Sequence, residues 1–174
     1  MSFAQGTMGF QGLKIPTGYG AVKLKAKVNG IDVGDAWSKK TTYSQGTEHA
    51  EDAVVDYIEC LEMSVEFSIN MLKNPGDLPV IQSMQLNKFN KKGNTLVIEN
   101  LTASPCSKTL GTCDKPDMVG CAERLIELTK RGWTVSVSAD HYYQPQGVVD
   151  AKNLSKQAAQ AMEKAGITVV IANQ

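Results

Sequence analysis

The chain has 174 residues, 42% of them hydrophobic and 21% charged. That is enough material for one domain with a sizeable core, and the balance is that of an ordinary globular protein. Lys plus Arg and Asp plus Glu both total 18, so the formal net charge is zero. This argues against a long, sequence-independent grip on duplex nucleic acid, which needs a basic excess to meet the phosphates. No apolar run approaches the about 20 residues of a membrane helix, so no membrane segment is expected. Residues 1–20 are rich in Gly, Gln and Thr and lack a charged-then-apolar signal pattern. They read as a linker or expression remnant, with a single domain expected over 21–174.

In chain order, Val22, Leu24, Ala26 and Val28 alternate with Lys23, Lys25 and Lys27, the pattern of a half-buried strand. Asn29-Gly30 follows as a tight hairpin signal, so Ile31 to about Lys39 should pair back, with Trp37 free to pack. Thr47 stands where its hydroxyl would cap a helix. Ala50, Val54, Tyr57, Ile58 and Leu61 then recur at helical spacing to about Met63. A separate short helix is expected between Val65 and the Asn74-Pro75-Gly76 turn cluster, and an exposed loop around Lys88, Phe89, Lys91 and Lys92. Asn94 to Ala103 reads as a strand running into Ser104-Pro105-Cys106.

A second helix should begin near Cys121 and end at Gly132, followed by a strand from Trp133 to Tyr143 with Val135 and Val137 inward. Leu154, Ala158, Ala161, Met162 and Ala165 form one stripe of a helix over Asn153 to Ala165. Ile167 to Ala172 is nearly all apolar, as a strand covered on both faces would be. The order β-β-α-β-α-β-α-β predicts parallel later strands with right-handed crossovers. The expected fold is a three-layer α-β-α sandwich around a five-stranded mixed sheet.

Four cysteines, at 60, 106, 113 and 121, are too few for a disulfide scaffold in a chain of this length. Three of them fall between 106 and 121, beside a Pro-Cys step, which suits metal coordination. Cys60 reads as a core thiol and His141 as a surface histidine at a strand end. Thr47-Glu48-His49-Ala50-Glu51 opens one helix, and Ser104-Pro105-Cys106 leads towards the helix opened by Cys121. One imidazole and two thiolates suit zinc and leave a fourth tetrahedral position for water. Glu51, two residues past His49, would reach that water without ligating and move its proton.

His49-Ala50-Glu51 together with Pro105-Cys106 resembles the signature of the cytidine-deaminase-like superfamily. The likeness runs from about Ala21 to Gln174, because the element order also fits. Ser-Pro-Cys-Ser, a loop, then Gly-Cys-Ala-Glu-Arg-Leu is similar to the deaminase tips of bacterial polymorphic toxins. The resemblance implies a zinc-dependent hydrolytic deaminase with one His and two Cys as ligands and Glu51 as proton shuttle. It implies conversion of cytosine to uracil in single-stranded DNA or RNA. It also implies interbacterial competition, a cognate immunity protein, and a secreted effector delivered into the cytoplasm of a target cell.

The sequence departs from the family in one respect. The family's second cysteine usually lies three residues after the first, and position 109 is Thr109. Cys121 is the expected third ligand, because a helix N-terminus favours a thiolate, and Cys113 is the alternative. Ser104, Tyr142 and Tyr143 near the strand ends, with Lys88 and Phe89, are the expected substrate contacts; tyrosines can stack on a base and lysines can meet phosphates. The alternative reading is that one of the tyrosines packs into the core. Two rival readings are a free cytidine or nucleotide deaminase of salvage metabolism, and an inactive zinc-stabilised binding module.

Overall fold

The computed structural model describes the backbone of residues 10–11, 19–40, 47–71, 93–115 and 119–173. Among the described residues, seven strands and three helices follow in order. They are β1 (Phe10–Gln11), β2 (Tyr19–Val28), β3 (Ile31–Lys40), β4 (Thr47–Glu48), α1 (Ala50–Met71), β5 (Thr95–Ala103), α2 (Cys121–Lys130), β6 (Thr134–His141), α3 (Ala151–Lys164) and β7 (Thr168–Asn173). Five long strands form a mixed sheet in the order β3-β2-β5-β6-β7, with the two-residue β1 and β4 both pairing with β3. The architecture is an α/β sandwich.

The hairpin forms where expected. Asn29 and Gly30 have φ of 50° and 76°, the two left-handed positions of a type I′ turn, and Val28 faces Ile31 across it. Pairing of β2 with β5 is antiparallel, while β5-β6 and β6-β7 are parallel. Two successive crossovers through α2 and α3 in the same direction put both helices on one face of the sheet. Inward residues Leu24, Ala26, Leu96, Ile98, Val135 and Val137 join Val54 and Ile58 of α1, Leu125 and Leu128 of α2, and Met162 of α3 in one core cluster. Lys25, Lys27, Glu99 and Ser136 alternate with them on the other face and are half-buried.

β5 contains the feature that aims the site. Strict alternation from Leu96 and Ile98 would send Leu101 and Ala103 to the outer face. Asn100 instead adopts φ 55°, the register with β6 shifts between Ile98 and Leu101, and Leu101 and Ala103 return inward. The chain therefore leaves the strand with Ser104, Pro105 and Cys106 all buried towards the helices.

Several expectations need correction. Thr47 lies in β4, paired with Lys40, and α1 starts at Ala50. The cap comes from Asp52, whose carboxylate accepts the His49 N–H at 3.0 Å, as the third helical residue of a capping box does. α1 runs unbroken to Met71, so there is no separate helix starting near Val65. β7 is an edge strand among the described residues: it stands last in the strand order, paired with β6 alone, and Val170 is 55% exposed. On α3, Ala161 is exposed while Ser155 and Ala159 are buried, and the Ser155 hydroxyl donates to the Tyr143 carbonyl at 2.6 Å. Of the expected linker, residues 10–11 form β1 and residues 19–20 open β2. The side chain of Trp37 and the whole loop carrying Lys88, Phe89, Lys91 and Lys92 lie outside the described residues.

Candidate metal centre

Two helix N-termini meet above the C-terminal end of β5. At the first, the acidic first turn, Glu51 and Asp52, follows directly on His49. At the second, Cys106 serves as the cap. Its carbonyl accepts the Ala122 N–H at 2.9 Å and its sulfur accepts the Cys121 N–H at 3.5 Å. A helix start is thus aimed at the Cys106 sulfur, which favours the thiolate.

His49, Cys106 and Cys121 are all buried, and their ligand atoms lie within 4.8 Å of one another. His49 Nδ1 is 3.4 Å from the Cys106 sulfur and 3.5 Å from the Cys121 sulfur. A tetrahedral zinc with ordinary Zn–S and Zn–N bonds separates its nitrogen and sulfur ligands by about 3.6 Å. The donor set and the spacing fit a zinc ion. Cys113 is half-buried and outside this cluster, which leaves Cys121 as the third member.

The charges in the metal-free chain sit where a cation would. The Cys121 thiol, donating to Cys106, and the His49 ring lower Cys106 to about 4. Burial, together with that donated bond, keeps Cys121 protonated well above the usual thiol range. Burial opposes a charged His49 ring, but the Cys106 bond and charge, Glu51 and Asp114 outweigh it and raise His49 to about 9. Two protons therefore occupy the space between three donors, and a metal would displace them.

Glu51 is 3% exposed. Burial raises it to about 7, against the opposing charge of His49. No hydrogen bond from another described side chain reaches its carboxylate, although the charges of His49 and Cys106 act on it and its own charge acts on Cys121. A buried carboxylate without such a donor, next to three metal ligands, is what a proton carrier for a bound water requires.

The surroundings of the triad were not legible in the sequence. Asp114 accepts from His49 Nε2 at 2.8 Å, on the side of the ring away from the sulfurs. Lys115, with 0% of its side chain exposed, donates to both oxygens of Asp52 at 2.8 Å and lies 3.5 Å from the Cys121 sulfur. Burial disfavours its charge, but Cys121 and Asp52 hold it protonated. Burial likewise opposes the Asp52 charge, and Lys115 and Arg124, the latter at 2.9 Å, hold its carboxyl below the usual range. The loop between the cysteines is tied down by Glu123, which accepts from the Ser107 hydroxyl at 2.5 Å and from the Lys108 and Thr109 amides at 3.2 Å. A lone Lys or Asp in a polar loop carries no signal of such contacts.

The expected substrate residues separate. Ser104 is buried and its hydroxyl accepts the Tyr143 N–H at 3.0 Å, so it shapes the rim from beneath. Tyr142 is 7% exposed and belongs to the core cluster, which takes it off the rim. Tyr143 stays half-buried, with its ring edge-on to His49 at 6.0 Å between centroids. Burial and its hydrogen bond to Asp114 raise the Tyr143 hydroxyl. His141 is exposed at the end of β6, and Cys60 is half-buried on α1. An open cleft of about 760 Å³ lies between α1 and α2, lined by Asp56, Glu59, Arg124 and Arg131, and none of the triad lines it.

No protein-family model matches the chain, and no curated protein or solved structure is significantly similar to it. Fold and site together define an α/β sandwich carrying a buried His–Cys–Cys cluster able to hold a metal ion. No described helix is long and apolar enough to cross a membrane.

Proposed function

We propose that this domain is a zinc-dependent hydrolytic deaminase that converts cytosine to uracil, with His49, Cys106 and Cys121 holding the metal and Glu51 moving protons. The observation that carries the reading is the triad geometry, with Nδ1 at 3.4 and 3.5 Å from two sulfurs and a buried carboxylate beside them. Zinc bound there would supply Lewis acidity and bring the pKa of its water towards ~7. Glu51 would take one proton of the attacking water and pass it to the ring nitrogen, then take the second from the hydroxyl of the tetrahedral adduct and pass it to the departing amine, which leaves as ammonia. Its value of about 7 in the metal-free chain suits a group that must both accept and release a proton near neutral pH. Tyr143, half-buried beside His49, is placed to bound the base.

Single-stranded DNA or RNA is the proposed substrate, because a base stacked in a duplex cannot reach a buried centre. The zero net charge agrees with a short, local footprint. The resemblance to toxin tips extends the proposal to a secreted effector acting in a target cell and neutralised by an immunity protein.

The test is mass-spectrometric product analysis on single-stranded DNA, RNA and free cytidine, using zinc-replete protein and Glu51→Ala. Uracil in the polymers with wild type only supports the reading. Turnover confined to free cytidine would move the protein to salvage metabolism. Toxicity that persists in Glu51→Ala with zinc retained would make it a binding module.

A further inference from the structure

His49 is held at both its backbone and its ring by one short piece of chain. Its N–H donates to Asp52 Oδ2 at 3.0 Å, and Asp52 takes both its shortest cation contacts from Lys115 at 2.8 Å. The residue next to Lys115 is Asp114, whose Oδ1 meets the ring's Nε2 at 2.8 Å. The circuit is closed: backbone of His49, Asp52, Lys115, Asp114, ring of His49. The Lys115 side chain is fully buried and so fixes where Asp114 can stand, although Asp114 itself is 45% exposed on its side chain. Further along the same loop, the Lys108 ammonium donates to the Lys115 carbonyl at 3.0 Å.

An imidazole offers a lone pair from only one nitrogen, and which one is set by the hydrogen bond that the other makes. A carboxylate on Nε2 keeps the proton there, so Nδ1, facing the two sulfurs, is the nitrogen whose lone pair becomes available once a metal displaces its own proton. It also restrains rotation of the ring about its bond to Cβ, so that Nδ1 keeps its 3.4 and 3.5 Å separations. The Tyr143 hydroxyl bonds the same carboxylate and limits its freedom further.

We propose that Asp114 is a positioning residue for the metal site, orienting His49 through Nε2, and that Lys115 anchors it there through Asp52. The inference rests on the zinc reading above and deepens it: the stretch that separates Cys106 from Cys121 supplies the outer contacts of the ligand His49.

Zinc affinity is measured by competition with a chromophoric chelator for wild type, Asp114→Ala, Asp114→Asn and Lys115→Met. The chain has only two histidines, so histidine-labelled nitrogen NMR reports the Nε2 proton of His49 directly. Asp114→Ala should weaken zinc binding by about 10- to 100-fold and speed solvent exchange of that proton. Asp114→Asn keeps an acceptor without the charge and should fall between. Lys115→Met should reproduce the exchange effect with Asp114 intact; because a buried cation is removed, the exposed Asp114 variants decide the matter if it fails to fold. Affinity in Asp114→Ala within twofold of wild type overturns the proposal, and so does weaker binding with unchanged proton exchange. Wild type that takes up no zinc overturns both the proposal and the zinc reading. Zinc-binding protein that behaves as expected but deaminates nothing overturns only the enzymatic reading.

Discussion

His49 Nδ1 lies 3.4 Å from the sulfur of Cys106, a residue 57 positions further along the chain. The contact joins the start of α1 to the turn after β5, and it brings together two of the three members of a cluster that Cys121 completes. His49→Ala, Cys106→Ala and Cys121→Ala should each abolish stoichiometric zinc, while Cys113→Ser retains it. Elemental analysis of purified protein checks this.

Zinc uptake should also release protons. At pH 7 the metal-free centre holds one on His49, raised to about 9, and one on Cys121, raised by burial, while Cys106 at about 4 is already a thiolate. About two protons per zinc are expected, since ligands bind deprotonated. Titration calorimetry in buffers of different ionisation enthalpy gives the number. A value near zero would contradict this assignment of charges.

Glu51, the proposed proton carrier, is buried at a cost in stability. Its folded pKa of about 7 lies above the unfolded 4.5, so the folded chain binds more protons between those values. Its contribution to stability therefore declines as pH rises through that window. Glu51→Gln should leave metal-free stability little changed below pH 4.5 and raise it relative to wild type at pH 8, by up to ~3 kcal/mol. Deamination should fall by ~10²-fold or more with zinc retained. Urea unfolding of metal-free protein at the two pH values, with product assays beside it, checks both halves.

Asp52 works in the opposite direction. Its carboxyl is held below the usual range by Lys115 and Arg124, so its stabilisation is present above the unfolded pKa and is lost as pH falls through the folded one. Asp52→Ala leaves Lys115 buried beside Cys121 without its counter-charge and should cost ~3–5 kcal/mol. Denaturant unfolding at pH 7 measures it.

Gly120 is required by close packing. A Cβ there would stand 2.2 Å from the Glu123 carboxylate, 2.5 Å from the Lys108 amide nitrogen and 3.0 Å from the Cys106 carbonyl oxygen. The carboxylate can swing away, but the backbone contacts cannot relax without moving the loop that carries Cys106. Gly120→Ala should destabilise by ~1–3 kcal/mol and weaken zinc binding, read by unfolding and by chelator competition.

Local pattern carried much of the fold. Alternation in β2, the Asn29-Gly30 turn, the β5-α2-β6-α3-β7 order and the start of α2 at Cys121 all depend on residues close in sequence, and each appears in the structure. The chemistry of the triad was legible for the same reason: His49 and Cys121 sit at helix starts, and Cys106 follows a strand end and proline.

Tertiary structure decided the rest, because it depends on which distant groups end up without water. An apolar run cannot reveal whether its strand is last in the sheet, so β7 read as central and is an edge. The bulge at Asn100 turns Cys106 inward against simple alternation. Tyr142 and Tyr143 are adjacent and chemically alike, yet one fills the core and the other faces His49. Asp114 and Lys115 look like ordinary polar loop residues; burial of Lys115 against Asp52, and of His49 against two sulfurs, is what gives them a task. By itself the sequence specifies the donors and the order of the elements that carry them. Desolvation in the folded chain sets their charges and selects the partners that hold them.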